Sequence, residues 1–120
     1  MGRGCWRRTA LTPPKRGDII WITLSPQIGV EQAGRRPVLV LSNSRYNALT
    51  KLAIICPITN QIKHYPTEVP LPESLKTKGV VLAGQIRTLD WHTRGFDAVE
   101  TAPDELLKRV LDIVVAVIEG

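Results

Sequence analysis

An acid, two adjacent guanidinium groups and a hydroxyl stand where apolar runs of this chain begin or end. Glu31-Gln32-Ala33-Gly34-Arg35-Arg36-Pro37 leads into Val38-Leu39-Val40-Leu41, and a second apolar run stops at Cys56-Pro57-Ile58-Thr59-Asn60-Gln61. Strand ends that bring Glu31, Arg36 and Thr59 near one another could grip and polarise a phosphodiester. A planar guanidinium binds two phosphate oxygens at once, a hydroxyl can donate to another, and a carboxylate can take a proton. Read without function, the same residues are a charged turn followed by a core strand.

The frame that must position them reads as short strands. Asp18 to Leu24 is β-branched and aromatic and closes at Ser25-Pro26. Residues 27–35 read as a loop containing Gly29 and Gly34. Pro37 to Leu41 is apolar on both faces, as a central strand is. Ser42 to Thr50 is a polar connection with room for a helical turn, and Leu52 to Ile58 is a third strand. Glu68-Val69, bracketed by Pro66 and Pro70, suits a short edge strand. Residues 72–78 read as a loop, and Gly79 to Leu89 as one long strand with a bulge or close backbone approach at Gly84. Pro103 suits the first position of a final helix, and Asp104 and Glu105 suit the positive end of its dipole. Leu107, Val110, Leu111, Val114 and Ile118 follow the helical period, while Leu106, Val115 and Val117 widen the apolar band enough to suggest a partner chain. Five or six short strands and one C-terminal helix give a mainly β chain with helices, built as a mostly antiparallel, barrel-like sheet.

At 120 residues the chain suits a single domain that needs no disulfide or metal staple. The first fourteen residues read as a flexible basic tail and residues 15–120 as the folded domain. The net charge of +5 is concentrated at the start, where Arg3, Arg7, Arg8, Lys15 and Arg16 occur without an acid. The remainder is neutral but polarised. Arg35, Arg36, Arg45, Lys51 and Lys63 face only Glu31 between positions 31 and 65, whereas acids dominate after position 96. A local positive patch is thus what the chain offers an anionic ligand. Cys5 and Cys56 form no disulfide framework, which fits a reducing cytoplasm. The basic start lacks the apolar core of a secretory signal, and the run Ile113 to Ile118 falls far short of a membrane span.

Taken in order, these residues resemble the MazF/PemK family of toxin endoribonucleases. The pieces that carry the resemblance are Gly17-Asp18-Ile19-Ile20-Trp21, Glu31 to Pro37, Val40-Leu41-Ser42 with Tyr46-Asn47, and Pro57-Ile58-Thr59. They continue with Tyr65-Pro66-Thr67-Glu68-Val69, Leu82 to Arg87, Trp91, Arg94-Gly95 and Ala102-Pro103-Asp104-Glu105-Leu106. The resemblance implies a small SH3-like barrel of the CcdB/MazF type, a homodimer, and cofactor-free and metal-independent cleavage of single-stranded RNA at short motifs. It also implies a cognate MazE-like antitoxin whose acidic segment occupies the RNA groove. Arg36 and Thr59 match the family's catalytic positions and Glu31 a third active-site position. Where the family often has an acid before its glutamine, this chain has Gly84 before Gln85, which bears on sequence preference more than on chemistry.

Metal-free RNA cleavage uses the 2′-hydroxyl as nucleophile, leaving a 2′,3′-cyclic phosphate, or the 3′-phosphate formed from it, and a 5′-hydroxyl. Arg36 suits stabilisation of the pentacoordinate phosphorane and Thr59 donation to an oxygen. A guanidinium holds its proton too tightly to be a base. Glu31 is the obvious carboxylate base, though an ordinary Glu pKa of about 4 makes a weak one. Gln32, Gly34, Arg35, Asn60, Gln61, Lys63 and Gln85 are candidates for holding RNA, and Trp91 for base stacking or a dimer contact. Trp21, inside a strand, reads as core. His64 and His92 match no catalytic position. The alternative function is a CcdB-like, non-enzymatic gyrase poison, which would not need Arg36 and Thr59 in one groove.

Overall fold

The computed structural model describes residues 12–24 and 34–120. Glu31 and Gln32, like the basic tail up to position 11, lie outside the described residues.

The chain runs β1 (Asp18–Thr23), β2 (Arg35–Val40), α1 (Ser44–Thr50), β3 (Ala53–Thr59), β4 (Glu68–Pro70), β5 (Val80–Leu82), β6 (Arg87–Leu89), α2 (Trp91–Arg94), β7 (Asp97–Thr101) and α3 (Asp104–Glu119). The strands form one antiparallel sheet in the order β4-β5-β3-β2-β1-β7, with β6 also on β3. The mainly β class with a C-terminal helix is as expected. β2 is central as its two-sided apolar pattern requires, flanked by β1 and β3.

Alternation splits the core between the two faces of the sheet. Ile19, Leu39, Cys56 and Ile58 point to one face, where Leu106, Val110 and Val114 of α3 cover them. Ile20, Ile22, Val38, Val40 and Ile55 point to the other, where Trp91 and Phe96 pack. Each side of β1 and β2 is therefore buried for most of its length, which explains the unbroken apolar runs.

Three expectations need correction. Gly79 to Leu89 is not one strand. β5 pairs with Ile58 and Thr59, β6 pairs with Ala53 to Ile55, and a turn at Ala83-Gly84 separates them. The chain from Trp91 to Thr101 carries a helical turn and an edge strand, α2 and β7, that the sequence reading passed over, making seven strands among the described residues. Pro103 caps α3 rather than entering it, and its carbonyl accepts from the Leu106 and Leu107 N–H groups.

α1 is set by its ends. The Asn43 side chain accepts from the Tyr46 N–H at 2.8 Å, and Lys51 closes the helix in the left-handed region at φ 65°. Asn47 is fully buried and ties α1 to its surroundings. Its amide donates to the carbonyls of Pro14 and Ser42, and its own carbonyl accepts from the Trp91 indole at 3.0 Å. A buried Asn is tolerated here because its hydrogen-bonding groups are matched.

Candidate nucleic-acid interface and active site

Arg36 and Thr59 end their strands side by side. The β2–β3 ladder pairs Val38 with Pro57, and the same register carried two residues further sets Arg36 opposite Thr59. Directly opposed residues of an antiparallel pair project to one face. Neither side chain is covered: Arg36 is exposed and Thr59 half-buried. The Thr59 hydroxyl accepts from the Gln61 N–H at 3.1 Å. That uses a lone pair and leaves its O–H free to donate, which is what a phosphoryl oxygen needs.

Two open clefts meet at this pair, one on each face of the sheet end, and Arg36, Ile58, Thr59 and Asn60 line both. The first, about 400 Å³, has a floor made by the cross-strand row Trp21, Pro37 and Ile58, with Arg35 at its rim and Lys76, Thr77 and Lys78 as its far wall. The second, about 460 Å³, is walled by Gln61, Gln85, Leu24 and Arg87. Among the described residues, cations and amides surround Arg36 and Thr59, and no acidic side chain lines either cleft. The arrangement suits an extended polyanion and offers hydrogen-bonding groups on both sides of the Arg36–Thr59 pair.

Among the residues expected to hold RNA, Arg35, Asn60, Gln61 and Gln85 do line the clefts. Arg35 is exposed but engaged, its guanidinium 2.6 Å from Asp97 and 3.1 Å from the Trp21 carbonyl. Gly34 and Lys63 are exposed but line neither cleft. The Lys63 and His64 N–H groups both donate to the Glu68 carboxylate, so this loop is held by β4. Glu31 and Gln32 fall outside the described residues.

The two tryptophans exchange the places read for them. Trp91 is 1% exposed, packed edge-on against Phe96 and His92 with its indole N–H donated to Asn47, so it does not reach the cleft within this chain. Trp21 is 41% exposed and forms part of the cleft floor. The cleft-lining Lys76, Lys78, Arg87 and Leu24 were not singled out from the sequence. A pair of lysines just before a glycine was the one available sign, and it is weak without the fold.

One side chain organises the far wall. The Glu100 carboxylate on β7 accepts from the Lys76 N–H (2.9 Å), the Thr77 N–H (2.8 Å) and the Thr77 hydroxyl (2.7 Å). Burial pushes the Glu100 carboxyl up, but these hydrogen bonds and the Lys76 charge outweigh it and hold the group below the ordinary carboxylate range. Cys56, in the core, has its thiol pushed up by burial to about 12, which makes it chemically inert at neutral pH. Among the described residues no three His, Cys, Asp or Glu side chains converge as a metal site would require. No described helix is long and apolar enough to cross a membrane.

Comparison with known proteins agrees with this geometry. Residues 15–118 match the family model described as PemK-like, MazF-like toxin of type II toxin-antitoxin system. The chain is similar to the endoribonuclease toxin MazF of Escherichia coli K12, 44% identical over 94 residues, which is 78% of this chain and 84% of that protein. It is also similar to the endoribonuclease EndoA of Bacillus subtilis, 38% identical over 113 residues, which is 88% and 97% of the two chains. A crystal structure of MazF from Deinococcus radiodurans superposes with a TM-score of 0.82 at 42% identity, covering 90% of this chain and 98% of that one. A crystal structure of MazE–MazF from the same organism matches with a TM-score of 0.82 at 40% identity, covering 88% and 96%.

Proposed function

The chain belongs to the PemK-like, MazF-like family of type II toxin–antitoxin toxins, and from that premise we propose that it is a growth-arresting endoribonuclease that cuts single-stranded messenger RNA. The observation that carries the reading is Arg36 opposed to Thr59 at the meeting of two cationic clefts.

The RNA backbone crosses the ends of β2 and β3 with the scissile phosphate between the two side chains. Arg36 binds two non-bridging oxygens and neutralises the charge that builds up as the 2′-oxygen attacks. Thr59 donates its free proton to a phosphoryl oxygen or fixes the attacking hydroxyl. The attack forms the 2′,3′-cyclic phosphate, breaks the bond to the 5′-oxygen and sends a proton to that oxygen. Glu31 is the carboxylate offered as base. The nucleophile is supplied by the substrate, so the reaction asks the protein for charge stabilisation and proton transfer rather than for a metal. Asn60, Gln61 and Gln85 lie where base edges would pass and set the sequence preference.

We assign residues 15–120 as the toxin unit, acting in the cytoplasm where its substrate is. The partner is a MazE-like antitoxin whose acidic segment competes for the same cationic clefts. The exposed apolar end of α3, with Val115, Val117 and Ile118 about half or more exposed, supports a homodimer. A non-enzymatic gyrase poison is disfavoured, since binding a protein would not call for a guanidinium and a free hydroxyl opposed in one polyanion cleft.

The test is incubation of a long single-stranded RNA with the purified protein in EDTA, beside Arg36→Ala, with fragment ends mapped. Discrete cuts with cyclic or 3′-phosphate and 5′-hydroxyl ends, lost in the variant, are expected. Folded protein that arrests growth yet cuts no RNA, or arrest that survives Arg36→Ala, overturns the enzymatic reading.

A further inference from the structure

We propose that the Lys76-Thr77-Lys78 edge forms, with Trp21 across the cleft from it, a flanking RNA subsite in which Lys76 holds one neighbouring phosphate and the exposed indole stacks the attached base. This deepens the ribonuclease reading and rests on it.

The segment is built to stand where it does. Gly79 adopts φ +114°, and a side chain there would run into the Thr59 carbonyl oxygen, so the segment is seated directly on the strand end that carries the reactive hydroxyl. From the other side the three hydrogen bonds to Glu100 fix Lys76 and Thr77 to β7. Lys78 turns its ammonium inward, donating to the carbonyls of Leu75 (2.9 Å) and Glu73 (3.3 Å) and closing the segment on itself. Lys76 is exposed and its ammonium makes no ion pair among the described residues. Five hydrogen bonds that all spare the Lys76 side chain leave one cation presented on a braced wall.

Trp21 supplies what a phosphate clamp lacks. A tryptophan two-fifths exposed within a sheet strand is costly to leave open to water, and its neighbours in the cleft are Pro37, Val99 and the arginine pair. A flat aromatic face beside cations is the recurrent means of holding a single-stranded nucleotide, because every base has a π-face and every linkage a charge. The Lys76 wall lies on the opposite side of Arg36 and Thr59 from Gln85, so this subsite engages nucleotides on one side of the cut only.

The experiment measures binding of a single-stranded oligonucleotide carrying a 2′-deoxy sugar at the cleavage position, over a range of salt, with cleavage of the all-ribose form run in parallel. Lys76→Ala should weaken binding several-fold, reduce the slope of log K against log salt by about one, and put the cleavage defect on KM. Trp21→Leu, which preserves an apolar strand residue, should weaken binding by about tenfold with little change in that slope. Lys108→Ala on α3 serves as the control. Both losses should vanish when the oligonucleotide is trimmed on one side of the cut and persist when it is trimmed on the other. Wild-type protein that cleaves RNA while Lys76→Ala keeps its affinity and slope overturns the subsite alone. So does a Lys76 effect that survives trimming on either side, or one confined to binding of a glutamate-rich peptide. Wild-type protein that neither binds nor cuts RNA overturns the ribonuclease reading and the subsite with it.

Discussion

Arg35 of β2 reaches across the intervening strand β1 to Asp97 of β7, Nη2 to Oδ2 at 2.6 Å, and the same nitrogen donates to the Trp21 carbonyl at 3.1 Å. The two adjacent arginines therefore divide their work. Neighbouring residues on a strand project to opposite faces, so Arg35 turns to the Trp21 side while Arg36 faces with Thr59. Both partners of the ion pair are substantially exposed, and such a pair stabilises the fold by no more than about 1 kcal/mol. Asp97→Asn should accordingly leave the unfolding midpoint nearly unchanged yet tighten RNA binding, because it removes the carboxylate that neutralises Arg35 and releases that guanidinium. Arg35→Ala should weaken binding, and both effects should shrink as salt rises. Isotherms at two ionic strengths check this. Tighter binding by Asp97→Asn that is indifferent to salt would show that charge is not the cause.

The Thr59 hydroxyl has two duties that substitution can keep or remove together. Its oxygen accepts the Gln61 N–H and its proton is free for substrate. Thr59→Ser keeps both, so most of the cleavage rate should remain. Thr59→Val keeps the shape and loses both, and removal of one preorganised donor should lower the single-turnover rate by about a hundredfold. The Gln61 N–H is exposed and water can replace its partner, so the stability cost should stay small. A valine variant that cleaves normally would leave the hydroxyl a turn cap and nothing more.

How much of this was legible beforehand depends on how local the signal is. β1, β2 and β3 follow from apolar runs and their polar ends, which the chain states within a few residues, whereas the register that sets Arg36 opposite Thr59 comes from the β2–β3 pairing. β7 does not. Asp97-Ala98-Val99-Glu100-Thr101 has one strongly apolar residue, and it is a strand because β1 offers it an open edge. The break between β5 and β6 was hidden because both halves alternate correctly, and only the pairing partners on β3 reveal it. Trp21 and Trp91 were read the wrong way round for a similar reason. Trp21 sits among isoleucines on a face that α3 does not fully cover, and Trp91 follows an acid but is enclosed by Asn47 and Phe96 from elsewhere in the chain. The Lys76–Lys78 wall became visible only once Glu100 was seen to hold it.

Glu100 makes the far wall sensitive to acid, and linkage gives the sign. Its carboxyl lies below the ordinary value of 4.5 in the folded chain, so above that pH the folded state holds the preferred charged form and gains stability. As pH falls below 4.5 the unfolded chain takes up its proton first, and the gain is lost as the folded group is titrated in turn. Glu100→Gln should therefore be less stable than wild type at neutral pH, and the difference between their urea midpoints should close below about pH 4.5. A gap that stays constant from pH 7 to pH 3 would mean that hydrogen-bond geometry, not charge, accounts for what the residue does. RNA affinity measured at neutral pH should fall in the same variant, because the wall that presents Lys76 loses an acceptor.

Trp91 separates a packing role from a binding role. Its indole N–H reaches the Asn47 carbonyl, which also takes the Lys51 N–H at 2.9 Å, so the acceptor is not orphaned when the indole is lost. Trp91→Phe should cost about 1–2 kcal/mol, mostly through lost contacts with Phe96 and the β1–β2 core. Trp91→Ala should cost about 3–5 kcal/mol, because the cavity lies among residues held by four strands and cannot collapse. In the fraction that remains folded, neither substitution should change RNA affinity, in contrast to Trp21→Leu. Denaturation curves read beside binding isotherms decide the matter. A Trp91→Phe protein of near wild-type stability that had lost RNA affinity would mean that the bases reach this ring after all, through an opening of the α2 region that the packed structure does not display.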